Sequence, residues 1–163
     1  MTTRKLTATV PAEADEVWRL LREQQAFPRY SDDIRSVSPA DDGADTDTGP
    51  HTWVLGFRGG TATWTQRTRL VGEGGQTPRR IEFLRVSGEF QQLMGAWTVT
   101  ELPQGCEIDY EVHYRTGVPH LAGAIDSAVG RVLVRAAHRI ITAVGGPARI
   151  TAGEHHLQDL IAA

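Results

Sequence analysis

The sequence is poor in cysteine, in excess charge and in long apolar runs. Cys106 is the only cysteine among 163 residues, so no disulfide bond can form within the chain, as suits a reducing compartment. Aspartate and glutamate (20) outnumber lysine and arginine (17), which gives no attraction to nucleic acid or to an anionic membrane. No apolar run approaches the ~20 residues that span a bilayer, and residues 1–6 lack the apolar core of a signal peptide. We therefore expect a cytoplasmic protein with no nucleic-acid partner and no membrane span.

Motifs for metal, nucleotide and covalent chemistry are also missing. The acidic segment 39–50 lacks the ordered ligand spacing of a calcium loop, and the glycine-rich segment 72–78 lacks the Lys-Ser/Thr of a phosphate loop. His155 and His156 are adjacent but have no third ligand at a metal-binding spacing. No nucleophile has a recognisable activating base. The sequence predicts no metal site and no cofactor.

What the sequence does contain is one long amphipathic helix near its end, predicted over residues 118–144. Apolar residues recur there at three- and four-residue steps, and Gly145, Gly146 and Pro147 end the pattern. Pro119 fits the first turn, where its missing N–H costs nothing. The predicted buried stripe consists of Leu121, Ile125, Val129, Val132, Ala136, Ile140 and Ala143.

Before this helix, the pattern alternates as β-strands do. Strands are predicted over 5–10, 34–38, 52–57, 61–70, 80–86, 90–101 and 106–116, with Gly95 at a possible bulge and two short helices between the first two strands. In the first helix, Ala14, Val17, Trp18 and Leu21 form the apolar stripe. Short turns imply an antiparallel sheet. The predicted fold is therefore α+β, with a curved antiparallel sheet of about six to seven strands wrapped around the long C-terminal helix and an internal cavity between them. We assign residues 1–147 to this domain and 148–163 to a tail that forms a short peripheral helix from Gly153.

Strand alternation predicts which side chains face the cavity. The set Ile108, Tyr110, Val112 and Tyr114 shares one face and is apolar enough to point inward. The predicted lining is aromatic with few polar groups: Trp53, Trp64, Gln66, Phe83, Arg85, Trp97, Tyr110 and Tyr114. The long helix carries small residues on its inner face, so we expect its N-terminal half, residues 118–132, to lie beside the ligand. Apolar walls with few polar groups are typical of a small-molecule site, although aromatic residues also fill cores.

The direction in which three arginine side chains point depends on which face of the strand each one occupies. Arg85 shares a face with Ile81 and Phe83, so it either meets a polarised ligand group in the cavity or reaches water at the cavity mouth. Plain alternation directs Arg67 and Arg69 to solvent, whereas one β-bulge in their strand would turn them inward.

Seven short motifs occur in order along the chain: Val10-Pro11-Ala12, Glu16-Val17-Trp18, Phe27-Pro28, Trp64-Thr65-Gln66-Arg67, Arg85-Val86-Ser87-Gly88-Glu89-Phe90, Gly95-Ala96-Trp97 and Gly117-Val118-Pro119. Together they resemble the polyketide cyclase/aromatase branch of the START-like, or Bet v 1-like, superfamily. The resemblance covers residues 5–144 and implies the helix-grip fold of that superfamily.

This resemblance implies a cofactor-free enzyme that receives a poly-β-ketone from an acyl carrier protein and promotes aldol ring closure and dehydration. It also implies a central inward arginine at Arg67 or Arg69 and a second at Arg85. We assign carbonyl polarisation to Arg85 and hydrogen-bond donation to Tyr110 and to Tyr30 near the mouth. Gln66 would orient an enol, and Phe27 joins the aromatic residues that bind substrate. The alternative function is a non-catalytic carrier or chaperone of a quinone or lipid, which a wholly aliphatic lining would favour.

Overall fold

A computed structural model describes residues 1–43, 45, 47–57, 60–72, 78–117, 122–155 and 157. Expectations for Pro119, Leu121 and His156, and for most of the glycine-rich segment, lie outside these residues. Within the described residues, eight strands and two α-helices follow in the order β1 (Thr2–Val10), α1 (Ala14–Arg22), a 3₁₀ helix (Gln24–Arg29), β2 (Ile34–Pro39), β3 (His51–Phe57), β4 (Gly60–Val71), β5 (Arg79–Gly88), β6 (Gln92–Leu102), β7 (Gly105–Arg115), α2 (Ala122–Gly145) and β8 (Arg149–Ala152).

The strands form one antiparallel sheet in the order β2-β3-β4-β5-β6-β7-β1-β8. This is the predicted helix-grip architecture, with one strand more than expected. The additional strand, β8, pairs with β1 through Ala8 and Ile150. This strand could not be predicted from the sequence, because a four-residue strand between a Pro-Ala pair and a glycine is too short for alternation to be recognised. Helical backbone follows at Glu154 and His155.

Both α-helices bury one apolar face. The predicted stripe of α1 is confirmed, since Ala14, Val17, Trp18 and Leu21 are all buried. In α2 the prediction of Ala143 is wrong, because that residue is exposed. The buried face instead follows the i, i+4 row from Val132 through Ala136 and Ile140 to Val144. None of the described helices is both long and apolar enough to cross a membrane.

Gly95 does not lie at a bulge, contrary to expectation. Its strand, β6, keeps a continuous register with β7 on one side. On the other side Gly95 pairs with Phe83 of β5. A methyl group at position 95 would lie 2.6 Å from the Phe83 ring and 2.1 Å from the carbonyl oxygen of Glu111. Glycine is therefore required so that an aromatic ring can lie flat across the strand.

The irregular register lies in β5 instead. Thr65 pairs with Ser87 while the next residue, Gln66, pairs with Arg85, so Val86 has no partner on β4. This is a β-bulge, which shifts the phase of β5 and leaves β4 in plain alternation. Arg67 and Arg69 therefore keep the outward phase of plain alternation, and Arg85, which precedes the bulge, keeps the phase of Phe83.

Candidate functional site

A cavity lies between the concave face of the sheet and helix α2. Its volume is about 50 Å³, room for about three water molecules. The predicted residues that line it are Phe27, Trp53, Trp64, Gln66, Phe83, Trp97 and Tyr110. Because aromatic rings fill most of the space inside the sheet, a ligand of several rings needs these walls to move apart.

The C-terminal half of helix α2 lines the cavity, whereas the N-terminal half was predicted to do so. Its lining residues are Leu133, Ala136, Ala137 and Ile140. The expectation that residues 118–132 lie beside the ligand is therefore wrong for the described part of that segment. Val129 and Val132 are buried but pack outside the cavity. The small side chains of Ala136 and Ala137 leave the space that the rings of the sheet do not fill.

The aromatic residues form a continuous network of rings. Trp53 and Trp64 are stacked, with ring centroids 5.8 Å apart and an interplanar angle of 23°. Trp97 and Tyr110 lie 4.7 Å apart. Phe27 joins the two pairs, 5.9 Å from Trp53 and 6.3 Å from Trp97. A flat ligand would find several aromatic rings in the cavity wall, which favours stacking.

The indole N–H groups of Trp53 and Trp64 each donate a hydrogen bond to a glutamine side chain. Trp64 donates to the side-chain oxygen of Gln66 at 2.9 Å, and Trp53 donates to that of Gln24 at 3.1 Å. The Gln24 amide group in turn donates to the backbone oxygen of Asp47 at 3.4 Å. Gln24 was not among the predicted site residues, because nothing in its sequence context distinguishes a buried glutamine from an exposed one.

Three hydrogen-bond donors in the described lining have no hydrogen-bond partner: the Tyr110 hydroxyl, the side-chain NH₂ of Gln66 and the indole N–H of Trp97. Tyr110 and Gln66 are only 5% and 4% exposed. Burial, with a smaller contribution from Tyr114, raises the pKa of Tyr110, so its hydroxyl stays protonated. The Tyr110 hydroxyl and the Gln66 NH₂ can therefore both donate to a hydrogen-bond acceptor on a ligand.

The described lining contains no acidic side chain and none of histidine, lysine, arginine or cysteine. The described residues also include no cluster of three or more potential metal ligands. The cavity thus offers aromatic surface and neutral donors. Its chemistry fits an uncharged molecule that carries carbonyl oxygens.

The candidate arginines lie outside this cavity. Arg67 is exposed, and Arg69 is exposed and donates to Glu82 at 2.8 Å, because β4 lacks the bulge that would have turned them inward. Arg85 faces the same side as Gln66 but lies beyond the cavity, half-buried, and donates to the backbone oxygens of Gly88 and Glu89 at 2.6 and 3.3 Å.

Two candidate tyrosines also lie outside the lining. Tyr30 is half-buried and packs against Phe27, with ring centroids 6.3 Å apart. Tyr114 faces inward and is fully buried, as alternation predicts, but its hydroxyl donates to the backbone oxygen of Asp126 at the start of α2. It therefore fastens the helix to the sheet instead of facing a ligand.

Sheet, helix and cavity together define a START-like helix-grip fold with an internal cavity. Comparison of the sequence with protein families supports this assignment. Residues 10–141 match the family described as polyketide cyclase / dehydrase and lipid transport, and the chain belongs to that family. Curated proteins include no significant match to the chain.

Solved structures share the fold at low sequence identity. A protein from Thermus thermophilus is similar over 97% of this chain and 99% of its own, with a TM-score of 0.72 and 17% identity. The Zhui aromatase/cyclase from a Streptomyces species is similar over 88% of this chain and 93% of its own, with a TM-score of 0.68 and 16% identity. A START superfamily protein from Mycobacterium smegmatis, 15% identical, has a TM-score of 0.66 over 87% of this chain and 96% of its own.

Proposed function

We propose that this protein is a cofactor-independent polyketide aromatase/cyclase, which binds a poly-β-ketone delivered by an acyl carrier protein and promotes its regiospecific aldol cyclisation and dehydration. The observation that carries the proposal is the pair of unpaired donors, the Tyr110 hydroxyl and the Gln66 NH₂, in a cavity walled by aromatic rings. A carbonyl oxygen is the acceptor that such donors match.

The donors would act on the carbonyl that is attacked. In an aldol step the enol carbon of one diketone unit bonds to the carbonyl carbon of another, and negative charge develops on the carbonyl oxygen. Hydrogen bonds from Tyr110 and Gln66 would stabilise that oxygen before water supplies its proton. The raised pKa of Tyr110 opposes full transfer of its own proton, so we assign it hydrogen-bond donation.

Enolisation needs no strong base from the protein. A methylene group between two ketones is acidic enough to enolise in water, and no described lining residue is an acid–base catalyst. The aromatic walls would contribute by holding the enol and the carbonyl in one reactive geometry. Trp97 and Trp53, on opposite sides of Phe27, would select the fold of the chain.

Reconstitution with a minimal polyketide synthase and its carrier protein tests the proposal. We expect the protein to change the regiochemistry of the cyclised products. Tyr110→Phe should abolish most of that change, whereas Arg67→Ala, a substitution of an exposed residue on the outer sheet face, should preserve it. Products that are the same with and without the protein would contradict a cyclase.

A second candidate is a non-catalytic carrier of a neutral quinone or lipid. The absence of an acid–base side chain from the described lining favours it, and the family itself includes lipid transport. A quinone would accept hydrogen bonds from the same two donors. Unchanged polyketide products together with tight quinone binding would support this second function.

A further inference from the structure

The turn between β5 and β6 places one aromatic ring at the edge of the cavity. Phe90 is the only non-glycine residue in the described parts of the chain with a positive φ, at 70°. Its ring is nevertheless buried, 6% exposed, and packs edge-on against Trp64 with centroids 5.1 Å apart. A second contact joins it to Tyr114 at 6.2 Å. Because Trp64 lines the cavity and Phe90 does not, Phe90 covers the outer side of a cavity wall.

The residues on both sides of Phe90 are anchored, whereas Phe90 is not. Glu89 donates its N–H to the Thr63 oxygen at 2.8 Å and accepts the Thr63 N–H on its carboxylate at 2.6 Å. Gln91 donates to the Arg115 oxygen at 2.8 Å. Within the described residues, the Phe90 backbone has no hydrogen bond of its own. Its ring can therefore rotate out about its side-chain torsions while the turn remains in place.

Arg85 and Gly88 complete the frame of this turn. The Arg85 guanidinium donates to the backbone oxygens of Gly88 and Glu89, the two residues directly before Phe90. A methyl group on Gly88, which has φ of 91°, would lie 2.7 Å from the Cα of Trp64. The turn is thus held tightly against the strand that carries Trp64.

The lining residues Gln24 and Thr68 are held by hydrogen bonds instead. The backbone oxygen of Asp47 accepts from both side chains, and its carboxylate pairs with Arg22. Moving these residues apart would break all three polar contacts. Rotating the Phe90 ring out would break only aromatic packing.

We propose that the Phe90 ring acts as a stopper, which closes the entrance of the cavity and moves aside when a ligand enters. The ring also limits how far a bound ligand extends past Trp64. Arg85 is the residue that positions Phe90. This inference rests on the ligand-binding role proposed above. It gives Phe90 a part in specificity and Arg85 a part at the cavity mouth.

Association kinetics with 1,4-naphthoquinone, a flat neutral dicarbonyl, test the stopper through quenching of tryptophan fluorescence. Phe90→Gly removes the ring and tolerates the positive φ, so it should fold and raise the association rate constant about tenfold or more. Phe83→Leu, which removes a ring from the cavity wall, should alter the dissociation rate and leave the association rate within about twofold. Arg85→Ala should raise the association rate without weakening binding at equilibrium. Equal association rates for the wild type and Phe90→Gly would overturn the stopper.

A ligand-free measurement separates this inference from the proposed function. Acrylamide quenching should reach Trp64 more readily in Phe90→Gly than in the wild type or in Phe83→Leu, with thermal unfolding confirming that each variant is folded. Increased quenching without any naphthoquinone binding would support the stopper and count against the ligand-binding function. Unchanged quenching in Phe90→Gly would refute the stopper.

Discussion

Two tyrosines on the same face of β7 should respond oppositely to removal of their hydroxyl groups. Tyr110 and Tyr114 lie four residues apart, and both are buried. The Tyr114 hydroxyl donates to the backbone oxygen of Asp126, whereas the Tyr110 hydroxyl faces the cavity without a partner among the described residues. Replacement by phenylalanine removes one oxygen from each site and keeps the ring. The pair is therefore a matched test of which hydroxyl serves stability and which serves a ligand.

The expected magnitudes follow from what each hydroxyl loses. Tyr114→Phe removes a buried hydrogen bond and should lower the free energy of unfolding by about 0.5–1.5 kcal/mol. Tyr110→Phe removes a hydroxyl on the cavity that makes no hydrogen bond with the described residues, so the free energy of unfolding should be unchanged or rise. A group that costs stability where it stands is typical of a functional site.

Urea unfolding followed by tryptophan fluorescence measures these differences, provided that the slope with denaturant is the same in each variant. The same variants should then be compared for naphthoquinone affinity, where Tyr110→Phe should lose about tenfold and Tyr114→Phe less than twofold. If Tyr110→Phe is destabilised as much as Tyr114→Phe, the hydroxyl has a structural partner and our description of the cavity is wrong. Unchanged affinity in Tyr110→Phe would remove it from the site.

Three further perturbations test other contacts. Gln66→Leu should lower the free energy of unfolding by about 1–3 kcal/mol in urea titrations, because it leaves the buried N–H of Trp64 unsatisfied; a neutral result would mean that the indole has another acceptor. Arg135→Ala should cost about 1 kcal/mol, less in high salt, because it breaks the two hydrogen bonds (2.7 and 2.8 Å) that join α2 to Asp33; a loss independent of salt would indicate lost packing instead. Burial lowers the pKa of His51 below 6.5, so the unfolded chain binds its proton first and stability should fall as the pH drops below 6.5; His51→Asn should flatten that part of the pH–stability curve.

The strand faces were predictable wherever alternation was regular. In β7, every second residue from Cys106 to Tyr114 is buried, because one face of the strand packs on the core and a period of two admits no other arrangement. The same rule placed Trp64 and Gln66 inward and Arg67 outward on β4. A sequence therefore predicts the walls of such a cavity when no strand contains an extra residue.

The function of Arg85 could not be predicted in this way. Its inward parity was correct, but its guanidinium binds the carbonyl groups of the turn that follows, and the bulge at Val86 brings that turn within reach. Phe90 was expected to begin the next strand, whereas it occupies a left-handed turn and β6 starts at Gln92. Neither the bulge nor the positive φ has a signal in the residue pattern, since no glycine or asparagine occupies either position.

These two features together explain how a nearly filled cavity can still serve a ligand. About 50 Å³ accommodates water and no poly-β-ketone, so entry must displace side chains. The rings of Trp53, Trp64 and Trp97 are each held by packing within the sheet, and the first two also by hydrogen bonds to glutamines. Phe90 packs against Trp64 and Tyr114, but its backbone has no hydrogen bond within the described residues and has a positive φ. Displacing Phe90 first leaves the donors of Tyr110 and Gln66 in place, so a carbonyl compound would enter a site whose recognition groups are already oriented.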